Sequence, residues 1–132
     1  MLLVEDFEPF RRFVRLTLQR HWSCKNILEA SDGEEAVALA QEFKVDLVLL
    51  DIGLPKLNGI DVARKIREFA PLSRILFVSQ ESSADVVREA LETGASGYVA
   101  KTDAGSELVT AISAVLRGEK FVSSKLAGHD LM

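Results

Sequence analysis

The run Val45-Asp46-Leu47-Val48-Leu49-Leu50-Asp51-Ile52-Gly53-Leu54-Pro55 limits what this chain can fold into more than any other stretch. Leu47 to Leu50 are unbroken aliphatics, far short of the roughly 18 residues of a membrane span. An apolar run without alternation suits a strand buried on both faces, as at the centre of a parallel sheet. It ends in a carboxylate, Asp51, and then Gly53 and Pro55 stop strand and helix alike. A charge therefore sits at the mouth of the most apolar strand, the end at which ligands bind in open α/β sheets. Taken alone, Asp51 serves equally well as a turn or cap residue.

The flanking sequence repeats one pattern, a short apolar run followed by a helical pattern. Leu2-Leu3-Val4 ends in Glu5-Asp6, and a helix follows from about Glu8 to His21, with Pro9 in its first turn and Phe10, Phe13, Val14 and Thr17 at helical spacing. A second strand is expected over Lys25 to Glu29. Ser31 with Glu34, or Asp32 with Glu35, then has capping-box spacing ahead of Ala36, Val37, Leu39, Ala40 and Phe43. After the strand ending at Asp51, Asn58-Gly59 opens a helix to about Phe69. Arg74 to Val78 leads to Ser79, and Ser82-Ser83 opens a helix that Gly94 closes. Gly97 to Ala100 leads to Lys101, and a last helix runs from Asp103 to about Leu116.

Five strand–helix units with right-handed crossovers give a three-layer, doubly wound (βα)5 α/β fold of flavodoxin-like type. Its parallel five-stranded sheet takes the order 2-1-3-4-5, which makes strands one and three neighbours at the switch point. Glu5, Asp6 and Asp51 then crowd one crevice, flanked by Ser79 and Lys101. As a turn, a strand end or a loop lysine each residue is unremarkable. All of them falling at strand ends of one crevice is not.

Composition narrows the classes. The chain has 132 residues, 48% hydrophobic and 27% charged, as expected for one globular domain. A formal charge of -4 disfavours direct binding of nucleic acid, whose phosphates want a basic face. Nothing at the start reads as a signal segment and no run is long enough to span a membrane, so the chain is expected to be cytoplasmic. One cysteine, Cys24, permits no internal disulfide, and the separated His21 and His129 suggest neither a zinc site nor a histidine catalyst.

Three carboxylates brought together repel one another, and a hard divalent cation relieves that repulsion. Mg²⁺ is the expected cofactor, with Asp6 and Asp51 as direct ligands, Glu5 acting through water and the backbone carbonyl of Gly53 turned inward. A carboxylate beside such an ion can act as a nucleophile and form an aspartyl phosphate. The Lys101 ammonium would neutralise charge on the transferring oxygens, and the Ser79 hydroxyl would hydrogen-bond one of them.

Val4-Glu5-Asp6, Leu49 to Pro55, Asn58-Gly59, Ser79 and Gly97-Tyr98-Val99-Ala100-Lys101 together resemble the receiver domain of bacterial two-component response regulators, over about residues 2 to 120. The resemblance implies that Asp51 takes a phosphoryl group from the phosphohistidine of a sensor histidine kinase. It implies that Glu5, Asp6 and Asp51 organise Mg²⁺ and that Lys101 pairs with the phosphate. It also implies that Ser79 and Tyr98 are a switch pair, the hydroxyl moving toward the phosphoryl group and the ring swinging inward behind it. Such a domain promotes its own phosphorylation without turning over an outside substrate, so it is not an enzyme in the usual sense.

Lys101-Thr102-Asp103, with Thr102 where the family usually has proline, is similar to the NarL/FixJ subfamily, whose members carry a helix-turn-helix DNA-binding domain. Residues 1–118 are expected to form the receiver domain, and 119–132 a tail or the start of a linker to an output domain outside this chain, through which transcription would be controlled. Gln80 beside the switch hydroxyl is expected to restrict access to the phosphoryl group, giving slow to moderate phosphoryl loss. Leu108, Val109, Ala111, Ile112, Ala114, Val115 and Leu116 cover more than one helical stripe. They suit a homodimer face shared with the first helix, or a helix packed under the tail. Two other readings stand beside the main one. An aspartyl-nucleophile phosphatase of haloacid-dehalogenase type wants a second Asp where this chain has Gly53. A pseudo-receiver, a pure or stand-alone interaction module, has no need of a costly carboxylate cluster.

Overall fold

A computed structural model of the chain describes residues 1–23 and 26–127, without the side chains of Lys125 and Ala127. Cys24, the Lys25 start expected for the second strand, and His129 lie outside the described residues. The elements run β1 (Leu2–Val4), α1 (Glu8–Trp22), β2 (Leu28–Ala30), α2 (Gly33–Glu42), β3 (Leu47–Leu50), α3 (Gly59–Phe69), β4 (Arg74–Ser79), α4 (Ala84–Glu92), β5 (Gly97–Ala100), α5 (Ala104–Leu116), β6 (Phe121–Val122) and α6 (Ser124–Ala127). A single turn of 3-10 helix, Lys101–Asp103, joins β5 to α5.

All strands are parallel, in the order β2-β1-β3-β4-β5-β6. The expected five-strand order is present, and a sixth short strand extends it at the β5 edge. That strand has too few residues to leave a period in the sequence.

Leu47 to Leu50 are each at most 1% exposed, so β3 is buried on both faces. Burial of each such leucine contributes about 1.5–3 kcal/mol. Successive strand residues point to opposite faces and feed two cores. Leu2, Val4, Val48, Leu50, Phe77 and Tyr98 belong to one, with residues of α2, α3 and α4. Leu3, Leu47, Leu49, Val78 and Val99 belong to the other, with residues of α1 and α5. On α1 the buried line is Val14 and Leu18, with Phe10 half-buried beside them, whereas Phe13, expected on the core face, is 40% exposed.

Helix starts follow their cap residues. The Asp32 side chain accepts the Glu35 N–H at 2.8 Å, and Glu35 reaches back to the Ser31 N–H at 2.8 Å. Asn58 caps α3 by accepting the Asp61 N–H, and Ser83 caps α4 by accepting that of Val86. Asp103 occupies the α5 cap position without a side-chain cap hydrogen bond. Gly59 seats α3 directly on the exit of β3, and a Cβ there would lie 2.0 Å from the Asp51 carbonyl oxygen. Only a residue without a side chain fits that approach.

Candidate functional site

The carboxyl ends of β1, β3, β4 and β5 open into a cleft of about 410 Å³ lined by Asp6, Phe7, Phe10, Asp51, Gly53, Ser79, Gln80, Glu81 and Lys101. Glu5 and Asp51 are 2% and 5% exposed, while Asp6 lies at the surface. Each of the three carboxylates offers an oxygen within 4.8 Å of the others. All three come from strand exits that the sheet register holds side by side, since Val4 pairs with Leu50 and the Asp51 N–H donates to the Val4 carbonyl at 3.1 Å.

Lys101 supplies the counter-charge. Its Nζ is 2.8 Å from Glu5 Oε1 and 3.2 Å from Asp51 Oδ2. It also lies 4.9 Å from the centroid of the Phe10 ring, within range of a cation–π attraction. The second oxygen of Glu5 accepts the Phe7 N–H at 3.0 Å, and Asp51 Oδ1 accepts the Ile52 N–H at 2.8 Å. The Arg11 guanidinium holds the Glu5 carbonyl at 2.9 Å, bonds Glu8 and pairs with Glu29.

Burial pushes the Glu5 carboxyl above its ordinary value and the Asp51 charge adds to this, against the pull of Lys101 and the Phe7 N–H. Burial pulls the Lys101 ammonium down. Its hydrogen bond to Glu5 and the charges of Asp51 and Glu5 outweigh that, so it stays firmly protonated.

Ser79 is fully buried, and its Oγ accepts the Glu81 N–H at 3.2 Å. Tyr98 is fully buried too, its ring 6.0 Å from that of Phe77 and its hydroxyl donating to the Glu81 carbonyl at 2.6 Å. Burial raises the phenol to about 12, with the Ser79 hydroxyl pulling against it and the Glu81 and Asp51 charges adding to it. Ser79 and Tyr98 therefore meet on the same residue, Glu81, one through its N–H and the other through its carbonyl. Gly53 lines the cleft, and a Cβ there would touch nothing within 4 Å.

Three oxygen donors at these separations fit a hard divalent cation, because carboxylates are the ligands such ions take. The cleft above them has room for a phosphoryl group. Phe10 and Glu81 join the site unannounced by the sequence. Phe10 reads there as one more core aromatic, and a backbone carbonyl leaves no trace in residue type.

A family model described as the response regulator receiver domain matches residues 1–113 of the chain. The transcriptional regulatory protein DegU of Brevibacillus brevis is 30% identical over 132 residues, all of this chain and 56% of that protein. A solved two-component response regulator of the LuxR family from Aurantimonas sp. SI85-9A1 shares 35% identity at a TM-score of 0.90, over 96% of this chain and 91% of that one. The signal receiver domain of a NarL response regulator from Mycobacterium tuberculosis shares 30% identity at a TM-score of 0.82, over 89% of this chain and 95% of that one. The chain spans a little over half the length of the curated relatives it matches, 56% to 62% of each.

Proposed function

The chain belongs to the response regulator receiver domain family, and from that premise we propose that Asp51 accepts a phosphoryl group from the phosphohistidine of a sensor histidine kinase. The observation that carries this reading is the cleft in which Asp51 shares Lys101 with Glu5. A carboxylate oxygen of Asp51 attacks phosphorus in line. The P–N bond to the imidazole breaks, the bonding pair leaves with that nitrogen, and the product is an aspartyl phosphate. Lys101, already 3.2 Å from Asp51, neutralises charge on the transferring oxygens, and the Ser79 hydroxyl stands ready to donate to one of them.

Glu5, Asp6 and Asp51 would hold Mg²⁺, with the Gly53 carbonyl as a further ligand. When bound, the ion supplies charge neutralisation on the phosphoryl oxygens. The switch pair would work through Glu81, where Ser79 and Tyr98 converge. Residues 1–118 would be the receiver unit and 119–132 the start of a connection to an output domain. The names of curated relatives, transcriptional regulatory and activator proteins among them, support transcriptional control as that output.

Exposed Phe13 and Leu16 on α1, 40% and 47% accessible, support a homodimer through the first helix, whereas Leu108, Ala111, Ile112 and Val115 of α5, expected on a shared dimer face, are buried in the chain's own core. Val115 of α5 is fully buried, so Leu16→Glu is the substitution that tests this face. Phosphoryl uptake from a small donor tests the main reading. A Mg²⁺ titration separates it from the pseudo-receiver, for which no binding at millimolar ion is expected.

A further inference from the structure

Among the described residues, the mechanism above leaves one fully buried hydroxyl unused. Ser123 follows β6 and is 0% exposed. Its N–H donates to the Tyr98 carbonyl at 2.9 Å, and its Oγ accepts the Ala100 N–H at 2.9 Å. These neighbours matter. Tyr98 is the aromatic of the switch pair, and Ala100 immediately precedes Lys101. In a continuing parallel ladder a backbone carbonyl of β6 would receive the Ala100 N–H. Here the chain turns into α6 instead, with the Leu126 N–H donating to the Ser123 carbonyl at 2.8 Å, and the serine side chain makes the last rung.

The attachment is tight on both sides. Gly97 lets β6 approach so closely that a Cβ there would lie 2.3 Å from the Phe121 carbonyl oxygen. Beyond Ser123, Leu126 is buried in the same core as Tyr98, and Ser124 donates to Glu107 of α5 at 3.0 Å through its hydroxyl.

We propose that Ser123 is a positioning residue that links the segment leaving the sheet to the phosphoryl site, fixing Lys101 through the Ala100 N–H and sensing Tyr98 through its carbonyl. The proposal rests on the reading of Asp51 as phosphoacceptor. A displacement of Tyr98 or Lys101 on phosphorylation then pulls on the backbone at residues 121–127. That is the stretch through which any following domain would be attached.

The test uses the whole chain. With Mg²⁺ and acetyl phosphate, Ser123→Ala is expected to take up phosphoryl about tenfold more slowly than wild type, with Mg²⁺ affinity changed less than twofold. Ser123→Thr, which keeps the hydroxyl, is expected to recover most of the rate. A Ser123→Ala chain that reacts at the wild-type rate, or a threonine variant that folds normally yet stays as slow as alanine, overturns the proposal. Wild type gives a reading that needs no variant. On adding beryllium fluoride to the Mg²⁺-bound protein, hydrogen exchange at the Phe121 and Ser123 amides should change at least fivefold while that at Leu3 and Val48 stays within twofold. Unchanged exchange at 121 and 123 overturns it. If wild type itself takes up no phosphoryl group from any donor, a partner kinase included, the reading of Asp51 fails first and carries this one with it.

Discussion

Lys101 Nζ lies closer to Glu5 than to Asp51, at 2.8 Å against 3.2 Å, so one ammonium compensates two buried acids. Replacing it by methionine keeps the stem and removes the charge. Breaking a buried pair by deleting one partner costs several kcal/mol, and here, with some solvent access at the lysine, about 2 kcal/mol is expected. Urea denaturation in EDTA should show the loss, and Mg²⁺ should recover more stability in Lys101→Met than in wild type. Equal stability of the two proteins in EDTA would contradict the pairing.

Tyr98 is the chain's single tyrosine, so its phenol can be titrated by absorbance without interference. Burial raises it from 10.0 to about 12. Between those values the folded state keeps a proton that the unfolded state releases, so stability falls as pH rises through that window, by roughly 2–3 kcal/mol in all. The folded protein should ionise near pH 12 and the guanidinium-unfolded chain near pH 10. A native midpoint near 10, with the circular dichroism unchanged, would mean that the ring is not held inside.

Gly59→Ala would place a Cβ 2.0 Å from the Asp51 carbonyl. Backbone cannot yield as a side chain can, so α3 must lift from the β3 exit. A loss of about 2–4 kcal/mol is expected, on the scale of strained core changes, together with slower phosphoryl uptake. Thermal unfolding and the uptake rate check the two effects.

Gln80 is exposed and lines the cleft beside Ser79. Shortening it to alanine should open the phosphoryl group to water and speed dephosphorylation at least twofold. An unchanged decay rate of the phosphorylated protein removes Gln80 from the account.

Much of this molecule is legible in the order of its residues. Leu47 to Leu50 announce a doubly buried strand, and Glu5, Asp6, Asp51, Ser79 and Lys101 each stand where an apolar run stops, so a parallel sheet must gather them. What stays hidden depends on contacts made at long range. Phe13 and Phe10 both fit helical spacing, and only the packing of α1 turns Phe13 to solvent and sets Phe10 under Lys101. β6 is too short to show alternation, and Ser123 is one serine among several until β5 gives it two backbone partners.

The most direct measurement is intact mass after incubation with acetyl phosphate, with and without Mg²⁺, on wild type and on Asp51→Asn. The account predicts one phosphoryl addition on wild type that requires Mg²⁺ and is absent from the variant. An addition that persists in Asp51→Asn would contradict the assignment of the acceptor. No addition to wild type from any donor, a partner kinase included, would leave the fold in place and remove its chemistry.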